Sequence, residues 1–240
     1  MPELPEVETV RRGLNELIIG KIVSTAREID SPKSFPIAPN DIERCLYGAE
    51  IVAIRRRAKV LMIDLSTKYT LVIHLKMTGQ LVFRGEQNFG AGHPNDSLIG
   101  KLPDRSTRVV IEFSDGSHLF FNDQRKFGWV KLFPTIEVPN IDFMKKVGPE
   151  PLEDNFTPEI FIQRIRRRNG TTIKAAILDQ TVLAGVGNIY ADESLWGAKI
   201  HPATRVRDVT DIELTLLCSE IKYVMNLSIE KGGSTDKNYV

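Results

Sequence analysis

The chain changes character at Phe133. Before it, short segments rich in β-branched and aromatic residues recur between turn residues, and beyond it the apolar residues fall at helical spacing. The first part predicts strands over Lys21–Ile29, Glu50–Arg56, Val60–Leu65, Thr70–Leu75, Gln80–Phe83, Arg108–Phe113, His118–Asn122 and Trp129–Phe133. So many short strands can bury their apolar faces only against a second layer, as in a sandwich or flattened barrel. A helix opened by an Asn-Asp cap is expected at Asp41–Tyr47, and a long loop at Gly85–Asp104.

After Phe133 a Pro- and Gly-rich stretch reads as a linker, residues 134–153, followed by a helical domain, residues 154–240. Thr157-Pro158 caps one helix, and Thr172–Leu178 and Ile189–Trp196 are short ones. Thr210 with Glu213 forms a capping box that starts the longest helix, with Ile212, Leu216, Ile221, Met225 and Ile229 expected inward and Gly232-Gly233 at its end. The fold class is α+β: an N-terminal β-sandwich flanked by helices, residues 1–133, and a C-terminal helical domain.

Composition excludes several classes. No apolar run is long enough to span a membrane, and no basic-then-apolar signal region opens the chain. The two cysteines, Cys45 and Cys218, form no CxxC pair, which predicts a reducing, cytoplasmic setting and no metal site. Net charge is +1; residues 1–133 hold 19 Lys/Arg against 16 Asp/Glu, and residues 134–240 hold 13 against 15. Any surface for an anionic partner must therefore be a local arrangement of charge.

The N-terminal stretch carries the chemistry. Val7, Val10, Leu14, Leu17 and Ile18 lie on one face of a helix that Pro5 can open. Pro2 follows the initiator Met, whose removal leaves a secondary amine. An α-amino group has a pKa near 8 against about 10.4 for lysine, so roughly a tenth of it is uncharged at neutral pH. Such an amine can attack a sugar aldehyde carbon and form an iminium, with Glu3 beside it to move the proton. On residue types alone, a plain start followed by an amphipathic helix is the default reading.

Five further stretches stand out. Arg55-Arg56-Arg57-Ala58-Lys59 sits at a hairpin tip, as a phosphate contact or as solvated surface. Met77 in a turn, and Arg125 and Phe127 in Asn122-Asp123-Gln124-Arg125-Lys126-Phe127-Gly128, suit filling the hole left by an extruded base, or else core packing. Gly185-Val186-Gly187-Asn188-Ile189-Tyr190-Ala191 joins two helices, as a phosphate site at a helix start or as a turn. Arg164, Arg166, Arg167 and Arg168 form a basic cluster, or a solvated face.

The opening Pro-Glu-Leu-Pro-Glu-Val-Glu-Thr, the Arg-Arg-Ala-Lys run and the Gly-x-Gly-Asn-Ile-Tyr-Ala stretch with Glu193-Ser194 together resemble the bacterial formamidopyrimidine-DNA glycosylases. The resemblance implies a helix–two-turn–helix DNA-binding domain and a base-excision-repair glycosylase/AP lyase for oxidised purines, such as 8-oxoguanine and formamidopyrimidines. It implies Pro2 as nucleophile, Glu3 as proton-transfer group and Lys59 in the active site, with Glu6 and Glu193 as supporting acids, Glu193 alternatively as a structural cap. It also implies Met77, Arg125, Phe127 and Asn188 as DNA contacts. The implied partner is double-stranded DNA with an oxidised base or abasic site, bound by a monomer in the bacterial cytoplasm at the nucleoid. Two alternatives remain: an endonuclease VIII-like glycosylase for oxidised pyrimidines, against which Leu4 argues, and a DNA-binding remnant without turnover. Family members usually bind one structural zinc in a four-cysteine C-terminal finger; this sequence stops at Val240 without one, so no cofactor is expected. A histidine frequent in the family before the strand at Arg108 is also missing, and arginine is a possible replacement.

Overall fold

A computed structural model describes residues 1–233. The stretch from Ser234 to Val240, the end of the expected 154–240 domain, lies outside the described residues. The chain divides into two units: Met1–Pro2 with Glu6–Ile141, and Glu3–Pro5 with the chain from Asp142 on. The division falls inside the stretch read as a linker. That stretch is not a bare tether, because Thr135–Asn140 forms a 3-10 helix and Asp142–Lys146 a short α-helix. Glu3–Pro5 pack with the helical unit, although the sequence reading kept them with the strands.

The first unit is a sandwich of two antiparallel sheets. One runs β1 (Val23–Glu28), β7 (Thr107–Phe113), β8 (His118–Asp123), β5 (Gly79–Arg84), β6 (Asn88–Gly92). The other runs β2 (Ile51–Arg57), β3 (Val60–Leu65), β4 (Tyr69–His74), β9 (Trp129–Pro134). Ile54, Leu61, Ile63, Leu71 and Ile73 of one sheet share a core with Leu81, Phe83, Ile111, Phe113 and Phe121 of the other. Helix α1 (Leu4–Ile18) lays Val7, Val10, Leu14 and Ile18 into the same core. Burying each of these four contributes roughly 1.5–3 kcal/mol. Gly13 interrupts α1 for a reason of space: a Cβ there would lie 2.2 Å from the Phe89 ring on β6.

The long loop expected at Gly85–Asp104 contains β6, hydrogen-bonded to β5 from Gln80↔Gly92 to Arg84↔Asn88, and a 3-10 turn at Asp96–Leu98. Asn-Phe-Gly-Ala-Gly has no β-branched residue, so pairing rather than propensity makes it a strand. Leu98 and Leu102 of this excursion, with Ile29, cover Val82, Val110 and Phe120 on the outer face of the sheet. Helix α2 is Pro39–Cys45, opened by proline after Ala38 without a side-chain cap, so the expected Asn-Asp cap does not form.

The second unit holds α3 (Asp142–Lys146), α4 (Pro158–Ile165), α5 (Ile173–Leu178), α6 (Asn188–Gly197) and α7 (Asp211–Glu230). Thr157 and Thr172 cap α4 and α5, and the Thr210–Glu213 capping box opens α7. Ile221, Met225 and Ile229 point inward as expected. Ile212 and Leu216 do not; Leu214, Leu217 and Cys218 carry the first turns of that face instead. Among the described residues, no helix is long and apolar enough to cross a membrane.

Candidate active site and nucleic-acid interface

Glu3 is held at several points. It is buried, and within the helical unit its carboxylate accepts hydrogen bonds from the backbone N–H groups of Gly187 (2.7 Å), Ile189 (3.0 Å) and Tyr190 (3.5 Å). These donors form the start of α6, where the helix dipole and unpaired N–H groups favour a negative charge. Gly187 leaves room for the acid, since a Cβ there would lie 2.4 Å from the Glu3 carboxyl carbon. One residue on, Leu4 donates its N–H to Gly185 O (3.1 Å) and is fully buried in the helical core. The helix start expected to receive a DNA phosphate thus already holds an anion of the chain itself. Asn188, the first residue of α6, is exposed.

Pro2 is buried at the beginning of the sandwich unit, and Glu6 is buried on α1. Burial, with the charge of the Met1 amino group, lowers the pKa of the His93 imidazole, while Asp123 opposes the shift. His93 belongs to the excursion after β6, anchored by Gln80, whose side-chain N–H donates to the His93 carbonyl (2.5 Å). Nothing in the sequence around His93 marked it, because its neighbours come from β5 and the chain start.

The Arg55–Lys59 tip is not a solvated turn. Ala58 takes a left-handed conformation (φ 52°) and is fully buried, and Lys59 is buried beside it. Arg55 pairs with Asp64 (2.6 Å), and Arg56 donates to Glu8 on α1 (3.1 Å) and to the Ala58 carbonyl (3.0 Å). Burial raises the pKa of Glu8, but hydrogen bonds from Arg11, Arg12 and Arg56 outweigh it and bring the value down to about 2. The hairpin that presents Lys59 is thereby braced on the helix that follows Pro2. Burial, with the charges of Lys76 and Lys59, lowers His74 to about 3, so its imidazole is neutral.

Met77, Arg125 and Phe127 are all exposed, which favours a contact role over core packing. The Arg125 guanidinium sits over the Phe127 ring, 4.7 Å from its centre. Their two loops are joined by Asp123, which is fully buried at the end of β8. Its carboxylate accepts from the Thr78 hydroxyl, from Gly128 N–H (2.7 Å) and from Arg125 N–H (3.2 Å), and Thr78 Oγ1 accepts a second bond from Arg125 N–H (3.1 Å). Lys126, in a left-handed conformation between Arg125 and Phe127, ties the loop to Asp30 (2.8 Å). One buried acid thus holds Thr78, the residue after Met77, and Arg125 and Gly128, which bracket Phe127.

Several expectations are corrected. Glu193 is partly exposed midway along α6, and Glu3 rather than Glu193 caps that helix. Of the two arginines that could stand in for a phosphate-binding histidine, Arg108 is buried and donates to the carbonyls of Asp123 (2.9 Å) and Arg105 (2.8 Å), which leaves the exposed Arg105. In the basic cluster, Arg166 donates to the carbonyls of Val206 (2.8 Å) and Val209 (2.7 Å), a structural pin rather than a solvated charge. Cys45 and Cys218 lie buried in different units, and no group of three or more potential metal-binding side chains occurs among the described residues.

Residues 1–130 match the formamidopyrimidine-DNA glycosylase N-terminal domain, and residues 147–239 its H2TH (helix–two-turn–helix) domain. A formamidopyrimidine-DNA glycosylase of Herpetosiphon aurantiacus is 42% identical over 240 residues, covering 100% of this chain and 82% of the relative. One of Chloroflexus aurantiacus is 38% identical, covering 100% and 80%. The solved complex of Lactococcus lactis Fpg with DNA containing an abasic site superposes with a TM-score of 0.85 at 31% identity, covering 99% of this chain and 82% of that one. From its N-terminal strands to its helix–two-turn–helix unit, the chain belongs to the formamidopyrimidine-DNA glycosylases, DNA-binding glycosylases of DNA repair.

Proposed function

We propose that the protein is a monomeric, bifunctional glycosylase and AP lyase of the bacterial cytoplasm, acting on oxidised purines in double-stranded DNA. The Pro2 amine, freed by loss of Met1, attacks C1′ of the extruded nucleotide. The C1′–N bond breaks, and the departing base takes a proton delivered through Glu3. The nitrogen gives up its proton, its lone pair expels O4′, which is protonated as the sugar ring opens, and nitrogen and C1′ form an iminium. Loss of a C2′ proton expels the 3′ phosphate, and a second elimination expels the 5′ phosphate, leaving a gap. Lys59 contacts the backbone on the lesion side, with Glu6 a supporting acid. Met77, Arg125 and Phe127 occupy the space the nucleotide leaves, with Arg125 toward the opposite base, and Asn188 contacts phosphate.

The observation that carries this reading is Glu3, one residue from the amine and held by backbone N–H groups in a single position. A proton-transfer group works only where its geometry is fixed. Borohydride should trap a covalent complex between the protein and abasic-site DNA, with the adduct mapping to Pro2. Undiminished trapping by Pro2→Gly, with the adduct on Lys59, would overturn the assignment. Parallel duplexes carrying 8-oxoguanine, a formamidopyrimidine or an oxidised pyrimidine test the substrate class, and faster excision of the pyrimidine would favour the endonuclease VIII-like alternative.

A further inference from the structure

We infer that the helical unit carries a phosphate-binding pocket apart from the start of α6. Lys146 at the end of α3, Arg164 on α4, Arg167 and Arg168 in the 3-10 turn that follows, and Thr181 and Val182 line a cavity of about 250 Å³. At ~30 Å³ per water this holds roughly eight waters, enough for a phosphate or pyrophosphate group.

The lining is built for an anion. Four positive charges surround the cavity and no carboxylate lines it. Two of the cations are held in place by the loop. Arg164 donates to the carbonyls of Thr181 (2.5 Å) and Val182 (2.8 Å). Arg168 pairs with Asp179 (2.7 Å), whose carboxylate also accepts from the Thr181 N–H (2.9 Å) and hydroxyl (2.7 Å). Arg167 and Lys146 make no hydrogen bond or ion pair among the described residues, and both are exposed. Burial, and after it the neighbouring charge of Arg167, lowers the pKa of Arg164, and Asp179 offsets only the charge of Arg168. The concentration is local, since residues 134–240 carry more Asp/Glu than Lys/Arg. A phosphate oxygen bridging Arg167, Lys146 and the anchored guanidinium edges would relieve that repulsion through charge-assisted hydrogen bonds.

The ligand chemistry is a phosphate anion, supplied either by a DNA backbone or by a free phosphate compound. The double variant Lys146→Glu/Arg167→Glu removes the two cations without other partners, so its melting temperature should match the parent's. Lys199→Glu/Arg207→Glu, in the same unit, makes the same change of charge elsewhere. Two titrations are read. In one, inorganic phosphate and then pyrophosphate are added while the amide resonances of Thr181 and Val182 are followed by NMR. In the other, binding to an undamaged duplex is measured across salt concentrations. Saturable shifts of those amides, lost in the pocket variant and kept in the control, support the proposal with a free phosphate compound as ligand. A loss of about tenfold in duplex affinity at low salt, with log K against log salt flatter by roughly 0.9 for each phosphate released, supports it with the DNA backbone as ligand if the control changes less than twofold. Equal effects in both variants, or no response in either titration, would overturn it. Neither readout depends on the chemistry at Pro2.

Discussion

Replacing Gly187 by alanine should uncouple Glu3 from α6 while disturbing little else. Gly187 has an ordinary φ of −126°, so alanine adds no backbone strain. Its Cβ would lie 2.4 Å from both the carboxyl carbon and one oxygen of Glu3, and 2.8 Å from its Cγ. Carbon atoms need about 3.5 Å or more, so the carboxylate must retreat by about 1 Å. The side chain can swing, and the overlap itself is cheap. The cost is in what is given up: a shift of that size carries the 2.7 Å and 3.0 Å bonds from Gly187 and Ile189 beyond hydrogen-bonding range. A hydrogen bond to a charged group contributes about 1.5–3 kcal/mol, and water or a new rotamer recovers part of the total. A net loss near 2 kcal/mol follows, which for a chain of this size lowers the melting temperature by roughly 4–8 °C. If Glu3 moves the proton, single-turnover excision should fall by about 10²–10⁴. Gly185→Ala is the comparison: it has a positive φ of 86°, and its Cβ would meet Leu4 at 2.5 Å, so it should destabilise without touching the acid. Excision by each variant is measured well below its melting temperature. If Gly187→Ala excises at the parental rate, or if both variants lose activity only in step with stability, Glu3 is a structural cap and the reasoning fails.

Asp123→Asn and Phe127→Ala should each slow excision from duplex DNA about tenfold while changing cleavage at a preformed abasic site much less; equal losses on the two substrates would remove the role of these loops in holding the extruded state. Glu8, lowered from 4.5 to about 2, contributes up to about 3 kcal/mol that is present above pH 4.5 and lost as the pH falls through 2. Urea unfolding of Glu8→Gln should accordingly lack the parent's loss of stability between those values. His74, neutral when folded down to about pH 3 but titrating near 6.5 when unfolded, makes stability decline as pH falls from 6.5 toward 3. Its imidazole resonances should show no inflection near pH 6.5, and one there would contradict the buried placement.

Where a signal is local, the sequence displays it. The capping residues Thr157, Thr172 and Thr210 and the alternation within β7 and β8 need only a few neighbours to be recognised. β6 is hidden because its partner strand and the Phe89–Gly13 contact, not its own residues, make it a strand. In α7 the apolar residues lie on several sides of the first turns, so spacing alone does not give the inward phase at Ile212 and Leu216. Pro2, Glu3, Lys59 and the Met77, Arg125 and Phe127 loops were legible as candidates through their residue types and the family resemblance. Asp123 and the seat of Glu3 were not, because their bonds join stretches far apart in the chain. The arginines at 164, 166, 167 and 168 look alike in sequence, and only the carbonyls met by Arg164 and Arg166 and the Asp179 carboxylate met by Arg168 separate these anchored charges from Arg167.

The bond between residue 3 and the start of α6 also bears on how the helical unit can be made. Its cap and one fully buried core leucine come from the first residues synthesised, while α6 begins at residue 188 and emerges late. A ribosome that has just released α6 has delivered a helix whose closing acid waits at the opposite end of the chain. Contacts of such long sequence separation form slowly, because the loop between them must first be closed. A fragment beginning at Asp142 would lack both groups, leaving a leucine-sized hole beside Gly185 and three amides without their carboxylate. Supplying the fragment with a peptide of the first residues should restore both, so the two pieces are natural halves for a complementation assay.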